Sequence, residues 1–302
     1  MKVSAWFSFW SRATRVYAIS ASLVPVIVGS VFAWYEHHQF YWLLFGLTLL
    51  AAVTYHLACN LINDYYDHKY QVDRPGTFGG SGMIVSGELS PAQVLRAASL
   101  LLAIGSAVGL WLAQACGLPL LYLGFAGLLG LVFYTATPFS AKYQALGEPL
   151  VFVMMGPLMV LGSYYVQCGI FSWRALFVSL PIGCLVAAIL QANDTRDIKD
   201  DRKSGIRTAS ILFGPKGARA FLSSLIFGAY VCIAGLLSVS ILPIWCALVV
   251  LSLPQAAGIH RLYWSVTEEK SERLLGAVEN TAKLHMSFGI LLAVGMLLGG
   301  IS

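Results

Sequence analysis

The sequence predicts an all-α polytopic membrane protein with nine transmembrane helices, a cytoplasmic N-terminus and one domain over residues 1–302. Composition is the first ground. Hydrophobic residues make up 58% of the chain and charged residues 11%, where soluble proteins carry about 25% charge. Mean hydropathy is +0.75, so the bilayer must be the solvent. The second ground is that the apolar runs are continuous rather than alternating, which excludes a β-barrel. The third is that charge is confined to short connections. A net charge of +5 therefore forms no extended basic face, and no nucleic-acid partner is expected. Six cysteines (Cys59, Cys116, Cys168, Cys184, Cys232, Cys246) stand in apolar stretches without C-x-x-C spacing. They read as small buried hydrophobes, not as disulfides or a zinc site.

Each element follows from the chain in order. Residues 1–15 are amphipathic and aromatic (Trp6, Phe7, Phe9, Trp10), and no signal-peptide cleavage pattern follows them. A span needs about 20 predominantly apolar residues. Stretches free of Asp, Glu, Lys and Arg at 16–35 and 37–63 give the first two. Residues 97–141 hold two more, broken at 116–119 by Cys-Gly-Leu-Pro. Residues 149–173 and 175–193 flank Arg174, residues 220–260 hold two divided near 238–243, and 284–302 is the last. Pro25, Pro157, Pro181 and Pro254 are internal kinks of the kind that neighbouring helices tolerate.

With the N-terminus inside, all but Arg174 of the 19 Lys and Arg fall in cytoplasmic segments, as the positive-inside bias requires. Two of those segments, about 60–92 and 193–216, are chemically unusual. Asn60-Leu-Ile-Asn63-Asp64-Tyr-Tyr-Asp67, with Asp73 six residues on, ends the second span. Asn193-Asp194-Thr-Arg-Asp197-Ile-Lys-Asp200-Asp201 ends the sixth. The string Asn-Asp-x-x-Asp occurs in both, an even number of spans apart, so both clusters lie on one side of the membrane. Continued as helices, Asn60, Asn63, Asp64 and Asp67 form one stripe, and Asn193, Asp197 and Asp201 another.

Carboxylates stacked at a membrane boundary demand a cation between them. Oxygen-only donors from Asp and Asn suit Mg²⁺, which commonly takes a few carboxylates together with substrate phosphates. A diphosphate is the implied ligand. Lys69 and Arg74 after the first cluster, and Arg202, Lys203 and Arg207 after the second, would bind its oxygens, although basic residues in such loops also serve as topology signals. The Gly-rich string at 79–82 is either a phosphate cradle or a flexible cover. His56, one to two turns deeper on the Asn60/Asn63 stripe, is either a packed interhelical hydrogen bond or a contact for a second substrate.

These motifs resemble those of the UbiA-type intramembrane prenyltransferases. The resemblance rests on Asn63-x-x-x-Asp67 with Asp73, and on Asp197-x-x-x-Asp201 followed by Gly205-Ile-Arg207-Thr208. Residues 134–138 (Tyr-Thr-Ala-Thr-Pro), 146–148 (Leu-Gly-Glu) and 162–167 (Gly-Ser-Tyr-Tyr-Val-Gln) are similar to the branch that prenylates 1,4-dihydroxy-2-naphthoate in menaquinone synthesis. The chain departs from the pattern twice. The loop after the fourth span normally carries Tyr and Lys four residues apart; here Pro138 stands at that distance from Tyr134 and Lys142 four further on. A Gly-Pro-Leu/Ile-Arg stretch after Asp73 is missing, leaving Arg74 or Lys69 to substitute.

The resemblance implies a polyprenyl transfer from polyprenyl diphosphate to an aromatic acceptor. Asn63, Asp64, Asp67, Asp73, Asn193, Asp197 and Asp201 would be the Mg²⁺ donors, and Asp67, Asp197, Tyr134 and Lys142 the catalytic set. Decarboxylating prenylation of 1,4-dihydroxy-2-naphthoate at the cytoplasmic membrane is the expected reaction, with 4-hydroxybenzoate, homogentisate or another phenol as alternative acceptors. Tyr65, Tyr66, Tyr70 and Tyr134 lie close to the motifs and either shield or stabilise an allylic cation or, as Tyr70 fits better, belong to the interfacial aromatic belt. A cation-coupled transporter is the reading from another class, since duplicated polar breaks also mark those. Transporters, however, place their charges near the midplane, whereas both clusters here sit at span ends.

Overall fold

The structure is a computed structural model that describes residues 3–77, 79–136 and 139–301. Lys2, Phe78, Thr137, Pro138 and Ser302, which entered the sequence reading, lie outside the described residues. Among the described residues a short amphipathic helix, α1 (Val3–Ala13), precedes nine helices long and apolar enough to cross a membrane. These are α2 (Ser20–His37), α3 (Trp42–Lys69), α4 (Pro91–Cys116), α5 (Leu118–Thr135) and α6 (Gly147–Cys168). They continue with α7 (Trp173–Lys203), α8 (Ala209–Ser238), α9 (Ile244–Ser265) and α10 (Ala277–Ile301). The fold is all-α and membrane-spanning, as the sequence predicts.

Helix starts follow the local chemistry. At α4 the Ser90 hydroxyl accepts from the Gln93 N–H and the Gln93 side chain accepts from the Ser90 N–H, with Pro91 as first helical residue; this satisfies two orphan donors, and Pro91 has none to satisfy. The Ser172 hydroxyl caps α7 by accepting from the Arg174 and Ala175 N–H groups, and the Thr208 hydroxyl caps α8 by accepting from the Ile211 N–H. Inside α6, Pro157 has no N–H to give, and the backbone widens to a π-type stretch at Met154–Leu158. There Gly156 meets α7 at Gly183; a Cβ on Gly156 would stand 2.6 Å from the Gly183 Cα. That backbone-to-backbone approach fixes the register of α6 on α7.

Helix α7 is the central post. Val178, Ile182, Leu185, Ala188 and Ala192 are fully buried, and Phe32 of α2, Val160 and Tyr164 of α6, and Leu284 and Phe288 of α10 belong to the same core. A second, smaller cluster joins Ala13 of α1, Leu61 of α3, Met83 and Leu89 of the following loop, and Val94 and Ala98 of α4.

Length positions the site. The 31 residues of α7 span about 46 Å and the 28 of α3 about 42 Å at 1.5 Å per residue. A hydrocarbon core is about 30 Å thick. Both helices therefore overrun it, and the overrun carries the Asn/Asp strings. Each string is helical to its end, so the two sit on helix faces rather than in loops.

Candidate active site

Three side chains converge on the end of α3 from elsewhere in the chain. Arg15, between α1 and α2, adopts the left-handed conformation (φ 54°) and turns its guanidinium inward. One nitrogen donates to the Asn60 carbonyl at 3.0 Å and to Asn63 Oδ1 at 2.9 Å, and lies 3.1 Å from Asp64 Oδ1. Burial alone would drive this group toward neutrality; Asp64 foremost, then Tyr17, Asp67 and Asp73, more than offset it and raise its pKa. Lys142 Nζ stands 2.7 Å from Asp67 Oδ2, and the Tyr143 hydroxyl donates to Oδ1 at 2.5 Å. Asn63 Nδ2 completes the shell of Asp67 at 2.9 Å. The Lys142 pKa is likewise raised, burial opposing and Asp67 prevailing. Tyr143 moves up as well, first by burial and then by Asp67.

Past the helix end the chain folds back so that the Asp73 N–H donates to the Asp67 carbonyl at 3.1 Å. The Asp73 carboxyl is buried, and its pKa is pushed up to about 7 by that burial first and by the charge of Asp67 second. Gly79 and Gly80 wrap it. A Cβ at either would fall 2.4 or 2.3 Å from its oxygens, so only glycine allows the loop this close. The next N–H, of Ser81, donates to Asp64 Oδ2 at 3.0 Å. The Gly-rich string thus packs on the carboxylates.

On α7, Arg196 grips Asp197 with two donors, each at 2.6 Å, and reaches Asn193 Oδ1 at 2.8 Å. Asp201, buried one turn on, lies within electrostatic reach of Asp197, Lys142 and Asp67, so the two clusters face each other. Buried Asp194 is neighboured by buried Glu148 of α6. Two loop contacts hold the halves together. Arg74 donates to Ser204 Oγ at 3.0 Å, and the Tyr143–Ala145 backbone pairs with Arg207 through bonds of 3.1 and 2.8 Å.

A cavity of about 560 Å³ opens beneath this polar cap. Arg15, Asn63, Lys142 and Asn193 line its charged end, Tyr134, His56 and Cys59 its shoulder, and apolar residues such as Leu128 and Met154 the remainder. Of the expected basic residues, Arg74 is half-buried, while Lys69, Arg202, Lys203 and Arg207 are exposed. Lys69 lies over the Tyr66 and Tyr70 rings, and Arg202 and Lys203 pair with Glu268 and Asp200. The cations that line the cavity are Arg15 and Lys142. Arg15 entered the sequence reading only as a topology marker, and Tyr143 and Glu148 carried no assigned role. The signal for Arg15 was its place, the last residue before the first span. Nothing local to Tyr143 announced its bond to Asp67.

The donor set fits Mg²⁺ in chemistry, being all oxygen. Asp64 Oδ1 is enclosed with no aligned hydrogen bond, and Gly79 and Gly80 put no side chain of their own against the Asp73 oxygens. Among the described residues no three His, Cys, Asp or Glu side chains are already gathered as a metal shell. Arg15, Lys142 and Arg196 hold Asp64, Asp67 and Asp197 instead, so a metal would have to take these carboxylates over from the chain's own cations.

Residues 22–295 match the model of the UbiA prenyltransferase family. The chain is 31% identical over 285 residues to the 1,4-dihydroxy-2-naphthoate octaprenyltransferase of Bacillus subtilis (strain 168), covering 94% of this chain and 91% of that one. It is also 31% identical over 293 residues to the UbiA prenyltransferase domain-containing protein 1 of Homo sapiens, covering 95% and 82%. Among solved structures, a UbiA homolog from Aeropyrum pernix K1 superposes with a TM-score of 0.68 at 21% identity, covering 93% of this chain and 97% of that one. A UbiA homolog from Archaeoglobus fulgidus bound to GPP and Mg²⁺ gives 0.59 at 17%, covering 94% and 99%. These two likenesses are of fold.

Proposed function

The chain belongs to the UbiA prenyltransferase family, and on that premise we propose that it transfers a polyprenyl group from polyprenyl diphosphate to 1,4-dihydroxy-2-naphthoate, with loss of the carboxylate, in menaquinone biosynthesis. The observation that carries the reading is the pair of facing Asn/Asp clusters capping a deep apolar cavity. Such a chamber divides naturally between a charged head and a long hydrocarbon tail. Naphthoate as acceptor is supported by the naming of the Bacillus subtilis relative; the human relative, equally similar, has a name that specifies no acceptor.

Asn63, Asp64, Asp67 and Asp73 on one side and Asn193, Asp197 and Asp201 on the other would hold Mg²⁺, which when bound supplies Lewis-acid stabilisation of the diphosphate. Arg15 and Lys142, released from their carboxylates, would donate charge-assisted hydrogen bonds to its oxygens. Arg74, fixed by Ser204, closes the rim. Lys69, Arg202, Lys203 and Arg207, exposed around it, raise the local concentration of the anion. Tyr134, which lines the cavity, would stabilise the allylic cation through its π face, while the apolar walls would keep water away. In this reading the capped end faces the cytoplasm and the protein resides in the cytoplasmic membrane.

The test uses purified protein with Mg²⁺, a polyprenyl diphosphate and carboxyl-labelled dihydroxynaphthoate. Labelled CO₂ should appear in step with prenylated product. Prenylation of 4-hydroxybenzoate with the naphthoate untouched would overturn the acceptor and leave the transferase.

A further inference from the structure

We propose that His56 is the general base of the reaction, accepting at Nε2 the hydroxyl proton of the aromatic acceptor; this rests on the transferase reading above. The argument begins with the cavity's own chemistry. Its described lining contains no Asp or Glu. Two of its ionisable residues, Arg15 and Lys142, are cations bound to Asp64 and Asp67. The tyrosines and Cys59 ordinarily hold their protons at neutral pH. Among the described lining residues a neutral imidazole is the only remaining group with a basic lone pair, and His56 is the only histidine there.

Its tautomer is set from behind. The Ser22 hydroxyl donates to the Ile19 carbonyl at 3.0 Å, the back-bond typical of a helical serine. Its oxygen is then an acceptor, and His56 Nδ1 stands 3.2 Å away. With Ser22 so bonded, we assign the proton to Nδ1, which leaves the lone pair on Nε2. The side chain is 7% exposed, yet Nε2 is not enclosed. His285, by contrast, has both ring nitrogens shut in without partners. Among the described residues nothing bonds to His56 Nε2, and the exposed fraction of the ring belongs to the cavity.

Depth agrees. His56 is four residues below Asn60 and seven below Asn63, about 6 and 10 Å along α3. The prenyl C1 is the first carbon beyond the diphosphate, so the ring that attacks it must lie within about one to two turns of the capping clusters. As the ring carbon bonds to C1 and the C1–O bond breaks, the O–H proton passes to Nε2 and diphosphate departs with the electron pair. A neutral ring ketone and an imidazolium result. The ring carbon then sheds its substituent, as a proton to diphosphate or, from a carboxylated carbon, as CO₂. The phenolate so formed takes the proton back from Nε2.

The experiment compares wild type, His56→Gln, His56→Ala and Ser22→Ala. Binding is measured with a non-hydrolysable thiodiphosphate analogue, turnover with the phenolic acceptor and its O-methyl ether, and the tautomer by ¹⁵N NMR of histidine-labelled protein. General-base loss is worth about 10²–10⁴-fold, so kcat should fall at least about 100-fold in both His56 variants with analogue affinity held within about twofold. Imidazole should restore His56→Ala, the methyl ether should turn over equally poorly in wild type and His56→Gln, and wild type should carry Nδ1–H. Retained kcat in folded His56→Gln, absence of imidazole rescue, equal use of phenol and ether by wild type, or an Nε2–H tautomer would each overturn the assignment. Ser22→Ala, which keeps the imidazole, should lose about tenfold in kcat without loss of analogue binding; unchanged kcat there would remove the tautomer argument. Wild type that consumes no aromatic acceptor at all would instead overturn the transferase reading, a failure recognisable without any variant.

Discussion

Lys142 and Asp67 meet at 2.7 Å across 75 residues of chain. The pair is nearly dry, with 12% and 2% of the two side chains exposed. A buried pair of this kind is costly to break from one side only, and the carboxylate proposed to take metal is the one that holds the lysine.

Asp67→Asn and Asp197→Asn should each reduce turnover by at least about 100-fold, the scale of losing one preorganised electrostatic contact. Asn keeps a hydrogen-bond acceptor for Lys142 or Arg196, so both variants should purify folded, with Asp67→Asn melting lower because Lys142 faces a neutral amide. Assays with and without EDTA complete the test; full activity in chelator, or in either variant, would end the metal-bridge mechanism.

Arg15→Lys should lower the affinity for prenyl diphosphate by about tenfold or more, because an ammonium lacks the planar fork that reads phosphate oxygens in a bidentate manner. The same substitution preserves the positive charge before the first span. Unaltered diphosphate binding would return Arg15 to a topological role.

The Asp73 carboxyl, at about 7 against an ordinary 3.8, binds a proton in the folded metal-free protein that the unfolded chain has already lost over that window. Stability of the chelator-treated protein should therefore fall as pH rises from about 4 to about 7 and level off above. Mg²⁺ binding, which needs the ionised carboxylate, should release a proton and strengthen over the same range. Thermal melts across pH check the first, and Asp73→Asn should flatten the slope.

Single cysteines placed at Lys69 and Lys203 in a cysteine-free background should react with an impermeant label from the cytoplasmic side, and one at Ser240 from the other. Labelling of Lys69 and Lys203 from opposite faces would separate the two clusters and dissolve the proposed site.

Much of the architecture was legible because a membrane writes hydropathy into every span, and the recurrence of Asn-Asp-x-x-Asp marked the ends of α3 and α7. Partnerships were less legible. Periodicity along one helix places Asn63 under Asp67, and the structure shows that bond. No such rule connects Arg15 to Asp64, Tyr143 to Asp67, or Glu148 to Asp194, since each pair depends on how separate helices pack. The Gly156–Gly183 crossing, which sets the height of α6 on α7, is equally invisible in either segment alone. The segment at 162–167, read from resemblance as bearing on the acceptor, serves partly as a fastener at the opposite end: Gln167 accepts from the Tyr41 N–H at 2.8 Å, and the Tyr164 hydroxyl donates to Glu36 at 2.6 Å.

The three cation–carboxylate pairs also give the chain a timetable for its own synthesis. Arg15 precedes Asp64, so when α3 leaves the ribosome its first acidic residue already has a counter-ion waiting in the membrane interface. Arg196 sits beside Asp197 and emerges in the same breath. Asp67 alone must wait, through two further spans, for Lys142. Of these three acids, Asp67 is therefore the one left without its cation at the membrane surface until α5 is inserted. Arrival of the fourth-to-fifth span connection then ties the end of α3 to the segment that follows α5.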